Sequence, residues 1–419
     1  MTRAMKDSGI EWIGQIPENY TICKVKNIFK IGRGRVIAQT ELKDNGLYPV
    51  YSSQTLNNGC MGYINTYDFD KPQLTWTTDG ANAGTVFLRT GKYNCTNVCG
   101  TLSPITKICN LSYMLYNISY IAFFHKRIDT NGYKIMNNEM GNIEILLPPL
   151  TEQKKIADYL DKRCEKIDTA IDNQKQIIEK LKEYKQSLIT ETVTKGLNPN
   201  VKMKDSGIEW IGSIPEHWAV RKLRYLFSCQ NGISKSGEYF GKGFPFVSYG
   251  DVYKNNIIPE NVSQLCETNE EERERYSVKK GDIFYTRTSE TIEEIGLTSI
   301  CYQDIKDATF AGFLIRVRPT TQLLEIGFSK YYTSSNMHRR FFVKEMNLVT
   351  RASLSQELLK RLPILLPPID EQQKIAEYLD KKCNQIDVAI KQKEETISKL
   401  EEYKKSLIFE CVTGKKEVA

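Results

Sequence analysis

Residues 147–196 read LPPLTEQKKIADYLDKRCEKIDTAIDNQKQIIEKLKEYKQSLITETVTKG, and residues 366–415 read LPPIDEQQKIAEYLDKKCNQIDVAIKQKEETISKLEEYKKSLIFECVTGK. More than half of the aligned positions are identical, and most of the differences keep the chemical type. Each copy predicts one long helix. A Pro-Pro pair precedes it, Thr151 or Asp370 is placed to cap it, and Gln373 follows Asp370 at capping-box spacing. Leu160, Cys164, Ile167, Ile171, Gln174, Ile178, Leu181, Lys185 and Leu188 step alternately by four and three. In the second copy the same steps fall on Leu379, Cys383, Ile386, Ile390, Lys393, Ile397, Leu400, Lys404 and Leu407. That is an a/d seam, interrupted by polar residues at Gln174 and Lys393 and again at Lys185 and Lys404. The seam is narrow and its flanks are rich in Lys, Glu and Gln, so each helix can bury little alone. Two such helices in one chain bury their seams most simply against each other, as an antiparallel coiled coil with pseudo-two-fold symmetry. About forty residues make a rod of roughly 60 Å.

A plain dimerisation coiled coil would account for the seam, but the repeat does not stop at the helix. Met5–Pro17 is MKDSGIEWIGQIP and Met203–Pro215 is MKDSGIEWIGSIP. The opening motifs are offset by 198 residues (203 against 5) and the helices by 219 (366 against 147). Two half-proteins share their ends and differ in their middles. The first middle has strand-like runs at Tyr48–Tyr51, Gly62–Ile64, Gln73–Thr77 and Thr85–Leu88, separated by Asn/Gly/Asp turns. The second has them at Phe244–Ser248, Asp282–Arg287, Leu297–Tyr302 and Ala311–Val317, with a helix from about Ile326 to Phe342. The two middles bear almost no resemblance to each other, and each is of domain size. The expected class is α+β: two mixed globules, residues 1–146 and 201–365, separated by helices over 147–200 and 366–419. Trp12 and Trp210, identical in both opening motifs, are expected to serve the frame, because identical residues cannot read different targets.

Composition sets the outer limits. The 419 residues are 40% hydrophobic and 26% charged, ordinary for a globular protein, with a formal net charge of +7 that suits a polyanionic partner without establishing one. No apolar run reaches spanning length, and Tyr113–Phe124, broken by Asn117 and Ser119, reads as a buried helix. MTRAMKDSGIEW lacks the apolar centre of a signal peptide. Eleven cysteines form no CxxC pair, and with three histidines no zinc site is completed. Reduced, partly buried thiols, a cytoplasmic location and no membrane association are the expectation.

With LPP[LI]xEQxKIAxYLD twice and MKDSGIEWIGxIPE ahead of each variable middle, the chain resembles the DNA-specificity subunit of type I restriction–modification systems over essentially its whole length. The resemblance implies a non-catalytic subunit with two target-recognition domains, each reading one half of a bipartite duplex DNA site. It also implies two docked methyltransferase subunits that bring S-adenosylmethionine and modify adenine at N6, and restriction/translocase subunits that use ATP and Mg. No cofactor and no metal is then expected on this chain. Motif absence is consistent with that: there is no GxxxxGK[ST], and the Gly32-Arg33-Gly34 and Gly241-Lys242-Gly243 pairs are isolated. Pro148-Pro149 and Pro367-Pro368 lack the polar-Pro-Pro-aromatic form of amino-methyltransferases. The rival from another class is a two-headed scaffold binding proteins or glycans without DNA.

Base-reading residues have to come from the variable middles, where donors and acceptors on loops and strand ends match base edges. In the first domain Ser53 and Gln54 follow one strand-like run, and Thr78 and Asn82 follow another; the amides of Gln54 and Asn82 suit adenine. Arg33 and Arg35 form a candidate phosphate clamp. In the second domain the candidates are Thr286, Arg287, Thr288 and Ser289 after the Gly281-Asp282 turn, then Lys254 and Asn255, and Arg351 before the closing helix. Arg287 suits guanine or phosphate. Each has a plainer alternative as a turn, cap or solvated residue, with Arg287 able to pair with Glu290 and Ser353 or Ser355 able to cap a helix.

Overall fold

Leu150–Lys195 and Ile369–Val412 are uninterrupted helices of 46 and 44 residues. In the computed structural model, which describes residues 3–130, 132–289, 294–345 and 352–418, both begin one residue ahead of the predicted caps. Thr151 and Asp370 lie inside the first turn. The Pro149 carbonyl takes the N–H groups of Glu152 and Gln153, and the Pro368 carbonyl those of Glu371 and Gln372. The Pro-Pro pair therefore supplies the stop on the N-terminal side and also the first acceptor.

The chain divides into two compact units that do not follow its linear order. One comprises Met1–Lys175 with Glu394–Ala419, the other Gln176–Lys393. Each unit holds one globule, half of one long helix and the opposite half of the other. In the first unit Ile156, Leu160, Ile167 and Ile171 share a core with Leu407, Cys411 and Val412, and Lys404 Nζ lies 2.6 Å from Asp168 Oδ1. In the second, Ile189 and Val193 share a core with Ile375, Leu379 and Cys383, and Lys185 Nζ lies 2.6 Å from Asp387 Oδ2. Within each unit the helix segments run antiparallel. Lys185 and Lys404, which interrupt the seam, each pair with an aspartate on the facing helix. Of the expected seam, Leu160, Ile167, Ile171, Ile178, Leu379, Ile386 and Leu407 are buried. Leu181, Leu188, Ile390, Ile397 and Leu400 are half-buried.

The repeated Glu-Gln at the head of each helix ties it to its globule. Gln153, fully buried, accepts the Asn110 N–H at 2.8 Å and donates to the carbonyls of Ile108 (3.0 Å) and Pro148 (2.8 Å). Gln372 repeats this with Glu325 N–H (2.8 Å) and the Leu323 and Pro367 carbonyls (both 2.9 Å). Glu152 accepts from the Tyr20 hydroxyl and pairs with Arg3, while Glu371 accepts from Trp218 Nε1 and bonds His217. With Asp370 inside the first turn the capping-box pairing with Gln373 is lost, and Gln372 instead joins the neighbouring segment to the Pro367 carbonyl just ahead of the helix.

The two middles, unlike in sequence, have one topology. In the first unit an antiparallel four-stranded sheet runs Phe29–Arg33, Cys99–Pro104, Gln73–Thr77, Val86–Arg89. The second runs Phe227–Asn231, Leu314–Pro319, Ile283–Thr286, Thr298–Ile300, in the same order and directions. Each is joined by a three-stranded sheet with one parallel and one antiparallel pairing: Asn94–Cys95, Tyr48–Tyr51 and Cys60–Ile64, or Thr309–Phe310, Phe240–Val247 and Leu265–Cys266. Leu111–His125 is the helix expected around Tyr113, with Tyr113, Met114, Ile118 and Ile121 buried. The helix expected over 326–342 is broken at Ser335 into Ile326–Ser334 and Asn336–Glu345, where an extended backbone (φ −73°, ψ 153°) interrupts the turn. Trp12 and Trp210 are half-buried frame residues packed on their own domain's helix, 4.9 Å from Phe124 and 5.9 Å from Phe341.

Among the described residues no helix is long and apolar enough to cross a membrane, and no group of His, Cys, Asp or Glu is placed to hold a metal ion. All eleven cysteines are free thiols.

Candidate nucleic-acid interface

Where the central strand of each four-stranded sheet ends, both domains build the same backbone arrangement. Thr77 donates its N–H to the Thr85 carbonyl, and its hydroxyl accepts from Thr85 N–H. Thr286 does the same with Leu297. The next residue is Thr78 in one domain and Arg287 in the other. Thr78 N–H bonds the Val98 carbonyl (3.3 Å) and its own carbonyl accepts from Ile135 (2.9 Å); Arg287 uses Phe313 (2.9 Å) and Leu354 (2.7 Å). One scaffold therefore carries different side chains at matched positions.

In the first domain the structure brings together most of the expected polar residues. Ser53 donates to Asp79 Oδ1 at 3.0 Å and to the Val98 carbonyl. Asn82 donates to Thr55 Oγ1 at 3.1 Å, and Gln54 Nε2 donates to the Cys60 carbonyl. Gln54 and Asn82 remain exposed, so their unused amide atoms face solvent; Ser53 is half-buried. Thr78 is 3% exposed and its hydroxyl is bonded to the Val98 carbonyl at 2.9 Å, so it locks the loop and has no free face toward a base. The Arg33–Arg35 clamp separates. Arg33 turns to Asn137 Oδ1 at 2.9 Å. Arg35 pairs with Glu41 (3.0 Å) and Asp68 (3.2 Å), and the hydrogen bond to Glu41 raises its pKa above the ordinary guanidinium value. Two carboxylates already neutralise Arg35, which makes it a poor phosphate ligand.

In the second domain Thr286 is fully buried, its hydroxyl bonded to the Glu294 carbonyl at 2.7 Å, and it too is a structural residue. Arg287 is half-buried and reaches the Gly312 carbonyl at 3.5 Å, a long contact that leaves most of its donors unused among the described partners. Thr288 and Ser289 form a short strand against Ala352–Ser353. Lys254 is exposed at the end of the Tyr249–Lys254 helix, and Asn255 caps that end by bonding the Asp251 carbonyl at 2.9 Å. Arg351 and the alternative Glu290 partner of Arg287 lie outside the described residues. Ser355, not Ser353, caps the following helix, accepting from Leu358 N–H at 3.1 Å.

Two features escape sequence reasoning. Arg89 is 3% exposed and pairs with no carboxylate among the described residues; its guanidinium lies 3.6 Å over Tyr51 and 4.3 Å over Phe87, and burial lowers its pKa. A strand-end Arg in an apolar run carries no signal of that environment. Gly34, from one of the isolated glycine pairs, and Gly232, which the sequence did not single out, have a packing role: a Cβ on Gly34 would run into the Cys95 carbonyl, and one on Gly232 into the Ala311 carbonyl. At these points the outer strand crosses the small sheet with no room for a side chain.

The sequence matches the family of type I restriction modification DNA specificity domains over residues 17–183 and 215–399. The type I restriction enzyme MjaVIII specificity subunit of Methanocaldococcus jannaschii is 27% identical over 428 residues, covering 96% of this chain and 94% of that one. The MpnII specificity subunit of Mycoplasma pneumoniae is 38% identical over 173 residues, 40% of this chain and about half (51%) of that relative's length. A chain solved in work on complex assembly and conformational transition of the type I R-M system superposes with a TM-score of 0.71 at 14% identity, covering 96% of this chain and 99% of that one.

Proposed function

The chain belongs to the type I restriction-modification DNA-specificity family, and from that premise we propose that its two domains each read one half of a bipartite duplex site. Methylation and cleavage belong to partner subunits in this reading: two adenine-N6 methyltransferases holding S-adenosylmethionine, and restriction/translocase subunits using ATP and Mg. The observation that carries it is the matched strand exit, where the same backbone bonds hold a buried Thr78 beside exposed Gln54 and Asn82 in one domain and a half-buried Arg287 in the other. A frame held constant while the presented residues differ is what two separate half-sites demand.

The contact set we propose is Gln54, Asn82 and Arg33 in the first domain and Arg287, Thr288, Lys254 and Asn255 in the second. Amide and guanidinium groups are suited to base edges, and Arg33 and Lys254 to phosphates. Thr78 and Thr286 hold loops. Methylation-sensitive sequencing of cells carrying the gene and its methyltransferase partner tests the reading. The expected result is one interrupted motif, with duplex binding by the complex weakening steeply as salt rises. A contiguous motif, or duplex binding indifferent to sequence, would refute it.

A further inference from the structure

Between the short parallel strand and the strand beside the sheet centre, both domains make the same tight turn. In the first it is Thr96-Asn97-Val98-Cys99, closed by Cys99 N–H to the Thr96 carbonyl at 3.0 Å. In the second it is Ala311-Gly312-Phe313-Leu314, closed by Leu314 N–H to the Ala311 carbonyl at 2.9 Å. The third residue of each turn accepts the N–H at the strand exit: Val98 from Thr78, and Phe313 from Arg287. The second turn is held rigidly. Gly312 donates to the Ile233 carbonyl at 2.8 Å, and a Cβ on it would collide with Ser234 Oγ.

On this fixed turn Phe313 is 64% exposed, while Phe310, Leu314 and Ile315 on either side are fully buried. Val98, at the matched point, is half-buried. Among the described residues no aromatic ring or cation stacks on Phe313, and its peptide neighbours the Arg287 guanidinium, which reaches the Gly312 carbonyl. A large apolar side chain held in water on a rigid turn next to a cation matches one kind of surface better than others: a polyanion with apolar edges inside. Base pairs offer these as the thymine methyl group and as the faces exposed at an opened step.

We propose that Phe313 is a specificity-determining residue that makes an apolar contact with a base in the half-site read by the second domain, with Val98 at the corresponding place in the first. The proposal rests on the DNA-reading function above. Its test is Phe313→Val in the full chain with its methyltransferase partner, since the matched turn already accommodates valine. Modified sites are sequenced, and binding is titrated on cognate duplex and single-position variants. The expected result is a loss of roughly tenfold in discrimination at one position of the second half-site. The first half-site and the slope of affinity against salt should not change, because no phosphate contact is lost. Full discrimination at every position in the variant, alongside a wild type that reads an interrupted motif, overturns the assignment to Phe313 alone. So does a loss spread over both half-sites, which would mark a structural role. A wild type that reads no interrupted motif overturns the function itself.

Discussion

His338 is fully buried, its ring edge-on to Tyr332 with centroids 4.8 Å apart. Burial pushes its pKa down to about 3, only partly opposed by the Tyr332 backbone. The folded chain therefore holds this ring neutral, while the unfolded chain protonates it near the ordinary value of about 6.5. The contribution to stability is complete above that value and is lost as pH falls toward 3, by about 1.4 kcal/mol per pH unit. Urea unfolding at pH 7.5 and 5.5 should show the wild type losing about 1.4 kcal/mol that His338→Leu does not lose; equal losses would mean that His338 is not the group responsible. Gln153 and Gln372 offer a second case. Replacing either by Ala strands a part-buried backbone N–H, a part-buried carbonyl and the buried carbonyl of the Pro-Pro pair, so Gln372→Ala should cost about 2 kcal/mol in denaturant unfolding of the full chain. At this scale the sequence was readable for residue type and poorly readable for direction. Thr78 and Thr286 sit where the polar loops were expected, yet their hydroxyls face inward. The bonds that turn them come from residues eight to twenty positions away, which no local pattern reveals.

The long helices were legible because their signal is local and periodic, and the four-three spacing survives in buried Leu160, Ile167, Leu379 and Ile386. Lys185 and Lys404 looked like flaws in that pattern until Asp387 and Asp168 appeared opposite them. Both aspartates are more than half exposed, so each pair is screened and worth on the order of 0.5–1 kcal/mol. Asp387→Lys should destabilise the second unit by about that amount or slightly more. The double exchange Lys185→Asp with Asp387→Lys should recover most of it, which a double-mutant cycle in urea reads directly. Absence of coupling would leave the apolar seam alone to set the register. The variable middles were less legible. Gln73–Thr77 was read to the residue, yet the common strand order of the two domains stayed hidden. Sheet order is decided by pairings between distant segments, and here Gly34 and Gly232 share a packing constraint and their neighbours Arg35 and Ile233 make the same parallel bridge with side chains that have nothing in common.

For the whole chain, the repeated frame around unlike middles already pointed to two readers on one chassis. What it could not reveal is that the first compact unit is completed by a helix segment from the far end of the sequence, while the second is one continuous stretch holding the inner halves of both helices. That arrangement constrains any change in helix length. Four residues add about one turn and nearly preserve the seam's facing. Because the segments pair antiparallel, an insertion in one helix alone would throw the ion pairs and the seam out of register. Matched insertions beside Gln174 and Lys393, equivalent positions of the two copies, leave the pairing within each unit intact. They lengthen each helix by about 6 Å, close to two base pairs of duplex at about 3.4 Å per pair. If the helices set the distance between the half-sites, methylation-sensitive sequencing of the doubly extended chain should recover the same letters on each side of a longer gap. Letters that change while the gap stays fixed would separate spacing from the helices and place it within the domains.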